Sequence, residues 1–270
     1  MFSQKNSQIS LSLGLTALVM IIIVAGYQFS PKDSSLETLF FALGGQMPAG
    51  LIQAATYLCF FICLFGMQAQ ANRIRREGYA YTAKLLPETE QYVLYPEDVN
   101  RIKLETIEIE RRLGAGLLTD LIKQAATKFR SSHSPAEALA IVETVSDMHR
   151  KSVEKEFWLI HTSQTLIPAF GFLGTVLGMA AAILNMGKTQ PTALATPTGP
   201  VAAAAAPTVS GTDIQVLIDN LGTAFFTTIV AIVLGIIVNV LMKRQESQVE
   251  DLHTGMKRYV VENLINRIQL

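Results

Sequence analysis

Leu221–Met242 reads LGTAFFTTIVAIVLGIIVNVLM and stops at Lys243 and Arg244. As a helix, this uncharged run rises about 33 Å at 1.5 Å per residue, enough to cross the roughly 30 Å hydrocarbon core of a bilayer. The rest of the chain agrees with a membrane setting: half its 270 residues are hydrophobic and 16% are charged, whereas soluble domains carry about 25%. Three more windows lack charge. Between Lys5 and Lys32 the core is Leu11–Tyr27. A second window holds Leu51–Met67, LIQAATYLCFFICLFGM. The third lies between Glu156 and Lys188 and is longer than a bilayer needs, so its helix is expected to project beyond the membrane. The expected fold class is an all-α integral membrane protein with four transmembrane helices and long cytoplasmic helical extensions.

Orientation follows from the basic residues, which accumulate on the cytoplasmic side. Lys5, 14 basic residues in 69–157 and five after Met242 fall on one side, while the intervening loops carry only Lys32 and Lys188. That distribution places both termini in the cytoplasm. A cleaved signal peptide is the competing reading of the first window, but no clean A-x-A site follows Val24-Ala25-Gly26. The expected organisation is an N-terminal hairpin over 1–68, with spans at about 11–27 and 51–67. A cytoplasmic helical region follows over 69–157. A channel-like core over 158–242 has spans at about 158–187 and 219–242 and an outer linker at 188–218, and a C-terminal cytoplasmic helix covers 243–270.

Within 69–157 the pattern is helical over Pro96–Phe129 and again from Ser134, where Ser134, Pro135 and Glu137 form a helix start. No glycine or proline follows until Pro168, so one helix is expected to run on into the third span. The mixed clusters Glu105, Glu108, Arg111, Arg112 and Arg150, Lys151, Glu154, Lys155 read first as solvated faces with i,i+4 pairs, and second as docking sites. The outer linker is low in complexity, rich in Ala, Pro and Thr. After Met242, Val249, Leu252, Met256, Val260 and Leu264 recur at helical spacing and predict packing on the inner segment or on a neighbouring subunit.

The third and fourth spans carry the functional signal. Gly171, Thr175, Gly178 and Ala182 lie at steps of four, three and four, on one helix face, and Gly174 adjoins them. Ala224, Thr228, Ala231 and Gly235 repeat the spacing. Small residues of this kind let helices pack closely in lipid. The matched stripes also suit the close approach of a separate partner helix, with Thr175 and Thr228 as the polar groups. A threonine hydroxyl can bind water or a dehydrated cation, but it cannot titrate near neutral pH. Asp219 stands at the outer end of the fourth span and reads as an interface marker, and no Asp, Glu, Lys or Arg lies within the interior of any span, whereas ion pathways normally hold an ionisable group. Either the protein conducts nothing, or a second subunit supplies the carboxylate.

Pro168-Ala-Phe-Gly-Phe-Leu-Gly-Thr-Val-Leu-Gly-Met179 and Ala224-Phe-Phe-Thr-Thr-Ile-Val-Ala-Ile232 resemble the signatures of the MotA/TolQ/ExbB proton-channel family. The four-span layout is closer to MotA, while the GTVLG segment is closer to ExbB and TolQ. The resemblance implies a bacterial inner-membrane A subunit, a homopentamer around two copies of a single-span MotB/ExbD/TolR-like B subunit whose helix carries the ion-binding aspartate. It implies an ion-motive-force-driven rotary motor conducting H+ or Na+, with a cytoplasmic effector or rotor as a further partner. By the same resemblance Thr175 and Thr228 line the ion pathway with Thr223 and Thr227 beside them. Gly171, Gly174, Gly178, Ala182, Ala224, Ala231 and Gly235 pack the partner helix, and Pro168 is a hinge at the cytoplasmic entry. The sequence departs from ExbB and TolQ at Thr223, where those proteins carry a glutamate. The alternative, from the residues alone, is a non-conducting scaffold assembled through small-residue faces.

Other classes are disfavoured. His133, His149, His161 and His253 show no metal-ligand spacing, and no P-loop is present, so neither an enzyme, a metal site nor a cofactor is expected. Zero net charge, 22 basic against 22 acidic residues, argues against nucleic-acid binding. Cys59 and Cys63 read as small apolar residues on one face of the second span.

Overall fold

The computed structural model describes residues 2–32, 34–45, 50–82, 84–88, 93–188 and 211–269; most of the expected outer linker lies outside them. The described chain is helical: α1 (Phe2–Phe29), α2 (Ser35–Ala42), α3 (Gly50–Thr82), α4 (Pro96–Leu113), α5 (Leu117–Ser132), α6 (Pro135–Lys188) and α7 (Gly211–Asn263), with a 3₁₀ turn at Ile265–Arg267. No β-strand occurs among the described residues. Four helices, α1, α3, α6 and α7, are long and apolar enough to cross a membrane. The chain divides into two compact units, Met1–Phe65 with His161–Asn239, and Gly66–Ile160 with Val240–Leu270.

Local chemistry explains the helix ends. Ser134 Oγ accepts the N–H of Glu137 at 3.4 Å, and Pro135 at the first helical position gives up no bond an interior residue would need. From there α6 is continuous through Pro168. The expected single helix over Pro96–Phe129 is instead two, because Gly114 turns the chain at φ +91°, a conformation that favours glycine. α2 was not anticipated; its N-terminus is capped by Ser34 Oγ, which accepts from the Glu37 N–H at 3.2 Å.

In the second unit α5 is the central element. Leu117, Leu118, Leu121, Ile122 and Phe129 are buried with Val142 of α6, Met256 and Val260 of α7, and Leu264 just after α7. Each such side chain contributes about 1.5–3 kcal/mol when fully buried. The C-terminal end of α7 also holds the segment before α4. Tyr259 Oη donates to the Leu86 carbonyl at 3.1 Å and accepts the Leu86 N–H at 3.0 Å. Arg267 donates to the Pro87 carbonyl at 2.9 Å, and an isolated parallel bridge joins Leu94 to Ile268. The charge clusters of α4 and α6 include exposed i,i+4 pairs such as Arg112 to Glu108 and Arg150 to Glu154, the solvated face the sequence suggested first.

In the first unit Met20 and Ile23 of α1 bury against Tyr57 of α3, and Val230 and Leu234 of α7 pack on this group. Tyr57 Oη donates to the Leu43 carbonyl at 3.0 Å, satisfying an acceptor at the C-terminal end of α2. Phe41 of α2 meets Phe226 of α7 edge-on at 6.2 Å. These contacts occupy one flank of α7 and leave the other, bearing Phe225, Ile232 and Ile236, exposed on the protomer.

Candidate functional site: the seam between α6 and α7

The stripe on α6 meets the stripe on α7. A Cβ added to Gly171 would stand 2.5 Å from the Ala231 Cβ, one added to Gly174 would collide with the Thr227 hydroxyl, and one added to Gly178 would stand 2.5 Å from the Ala224 Cβ. Ala182, Ala224 and Ala231 are buried, the last two completely. Gly235 is looser, with Ile167 Cγ2 3.7 Å from its added Cβ. Within the chain, then, the face that the sequence offers to a separate helix is filled by its own fourth span. The reason is geometric: two stripes with one spacing, on consecutive antiparallel spans, close on each other from Gly171 and Ala231 to Gly178 and Ala224.

Four oxygens converge at one rim of this seam. The hydroxyls of Thr175 and Thr228 are in direct contact. Thr175 Oγ1 lies 3.2 Å from both the Gly171 and the Ala224 carbonyls. Thr228 Oγ1 lies 2.9 Å from the Gly171 carbonyl and 3.4 Å from the Ala224 carbonyl. Each hydroxyl owns one proton, so these five contacts compete for two hydrogens. The cluster therefore holds more acceptor lone pairs than donors, which suits a water or a cation, while none of its groups titrates near neutral pH.

The rim has a direction. At about 100° per residue, Thr228 lies between the seam and the exposed flank of Phe225, Ile232 and Ile236, opposite the flank that packs on Met20 and Tyr57. On α6, Thr175 shares its flank with Pro168 and His161, which are exposed, whereas the opposite flank carries Leu173, Leu177 and Leu184. Exposed Phe172 and Met179 share the flank of Thr175 with them. Thr223 does not join the hydroxyl pair: its hydroxyl donates along its own helix to the Asp219 carbonyl at 2.9 Å. The Thr227 hydroxyl donates at 2.9 Å to the Ala224 carbonyl, one of the four oxygens, from within α7. The amide nitrogen of Asn220 is buried without a hydrogen-bond partner among the described residues.

A second group of polar residues lies in the other unit, and no sequence pattern marks it because its members are far apart in the chain. Arg73 of α3 bridges Glu77, at 3.2 Å, and Glu156 of α6, at 2.5 Å. His253 of α7 places Nε2 3.8 Å from Glu77. Burial pushes the His253 imidazole below its ordinary range, against the opposing pull of Glu77. Among the described residues no cluster of His, Cys, Asp or Glu could hold a metal ion.

Comparison with curated proteins and with solved structures gives no match. A family model does match, over a region that contains the whole Pro168–Met179 motif and ends before the Ala224–Ile232 motif. Residues 114–213, which carry the α6 half of the seam, match the MotA/TolQ/ExbB proton channel family.

Proposed function

We propose that this chain is the channel-forming subunit of a rotary motor driven by an ion-motive force. It sits in a bacterial inner membrane with both termini in the cytoplasm. Five copies would surround the helices of two single-span partner subunits, each bringing an intramembrane aspartate. The observation that carries this reading is the Thr175–Thr228 hydroxyl pair, set at the open rim of a seam in a chain whose span interiors hold no Asp, Glu, Lys or Arg. Such a pair can hand an ion or a hydrated proton to a carboxylate and receive it back, but cannot hold charge itself. The partner's carboxylate completes the site. In this arrangement the glycines and alanines of the seam bring α6 and α7 close enough for the two hydroxyls to meet, and the rim, with Thr175 and Thr228, faces the partner helix. Thr223 and Thr227 act from within α7, holding its backbone beside the rim. Proton is the favoured ion, in keeping with the family matched over residues 114–213.

A tightly packed seam would serve a non-conducting scaffold equally well, so the test must separate assembly from conduction. Thr228→Val keeps the shape and removes the hydroxyl. The complex with its partner is expected to assemble as wild type while proton flux into liposomes under an imposed potential falls by at least tenfold. Wild-type flux in this variant would sink the ion-path role and leave the scaffold.

A further inference from the structure

His161, Pro168 and Thr175 stand seven residues apart on α6. Seven residues is nearly two helical turns, so the three form one stripe, drifting only about 20° per step. His161 and Pro168 are exposed along it and Thr175 is half-buried. The stripe begins at the hydroxyl cluster, passes the Gln164 carbonyl, which Pro168 leaves without its helical N–H donor, and ends at an imidazole. His161 falls inside the long apolar window of the third span. Trp158, 56% exposed and three residues earlier in the helix, is the type of residue that gathers at the headgroup level. An imidazole carries one donor and one acceptor nitrogen, so it can take a proton at one and release it from the other, and an ionisable group at membrane depth is a functional candidate by default.

We infer that His161 is the proton-transfer group at the cytoplasmic mouth of the path that starts at Thr175 and Thr228. This rests on the ion-path reading above and adds the exit that the hydroxyls cannot supply. A proton arrives on a water, whose O–H bond breaks as an N–H bond forms on one ring nitrogen. The imidazolium then releases the proton of its other nitrogen to cytoplasmic water, and the ring returns to its first tautomer by rotating or by back-exchange. Nothing is oxidised or reduced, and the residue ends each cycle neutral. At about 1.5 Å per residue, some 16 Å of helix separates Thr175 from Gln164, so waters carry the proton between stations.

The test uses the complex of the full chain with a single-span partner that carries an intramembrane aspartate, reconstituted in liposomes. Proton entry is driven by a potassium–valinomycin potential and read with an encapsulated pH dye. His161→Gln and His161→Ala should assemble as wild type by size exclusion. Both should slow proton flux about a hundredfold, at the lower end of what a positioned proton-transfer group contributes. Imidazole added to the receiving compartment should restore much of the flux in the alanine variant, a rescue that a merely structural role would not give. Wild-type flux in both variants would overturn the assignment of His161 and leave the ion path standing. Absence of proton flux in the wild-type complex would overturn both.

Discussion

Adding one methyl group to the seam tests whether α6 and α7 depend on their glycines. In Gly178→Ala the new Cβ would lie 2.5 Å from the Ala224 Cβ, 3.1 Å from the Ala224 Cα and 3.0 Å from the Asn220 carbonyl. Carbon atoms rest about 3.5–4.0 Å apart, so the two helices must part locally by about 1 Å. Overpacking of this size costs about 1–3 kcal/mol, and the higher helix propensity of alanine offsets about 1 kcal/mol of it. The parting also acts on the chemistry. Thr175, one turn from Gly178, now sits 3.2 Å from the Ala224 carbonyl, and a further 1 Å ends that hydrogen bond. Gly178→Ala should therefore lower the thermal stability of the detergent-purified protein and impair flux. Adding Ala224→Gly removes the opposing methyl and should restore most of both. The rescue will be incomplete because the Asn220 carbonyl and the residue 224 Cα still oppose the new methyl, and glycine at 224 costs α7 about 1 kcal/mol of helix propensity. A single variant as stable as wild type, or a double variant no better than the single, would refute the close packing of these helices.

Two predictions concern the other unit. Tyr259→Phe removes the hydroxyl that serves both the N–H and the carbonyl of Leu86; losing a buried pair of this kind costs about 1–3 kcal/mol, and hydrogen exchange at Leu86 should quicken while the spans are unaffected. Unchanged exchange would mean that Tyr259 does not hold this segment. His253 gives a pH signature: because burial lowers its pKa, the unfolded chain takes up a proton below about pH 6.5 while the folded chain does not, so stability is lost as pH falls below that value. Melting temperatures from pH 8 to pH 5 should show a steeper acid loss for wild type than for His253→Gln, and parallel curves would contradict the buried neutral imidazole.

The four spans were legible because missing charge over a long run is a signal that lies along the chain. The start of α6 at Ser134 and the stripes on α6 and α7 were legible for the same reason, as local spacing. What the stripes meet was not. Gly178 presents the same sequence whether its neighbour is Ala224 of the same chain or a separate helix, and only the packing decides. The break between α4 and α5 was missed because Gly114 was read through as part of a helix, when its positive φ ends one. α2, eight residues long, is too short to show a helical period, and its position depends on Tyr57 and Phe226. The Arg73, Glu77, Glu156 and His253 group could not be read at all, since three helices bring it together.

The most direct test is native mass spectrometry of the detergent-purified complex, with this chain expressed together with its neighbouring gene. Five copies of the chain with two of a partner whose one span contains an aspartate are expected. A monomer, or an assembly without such a partner, would leave the hydroxyl pair with no carboxylate to serve and contradict the motor reading.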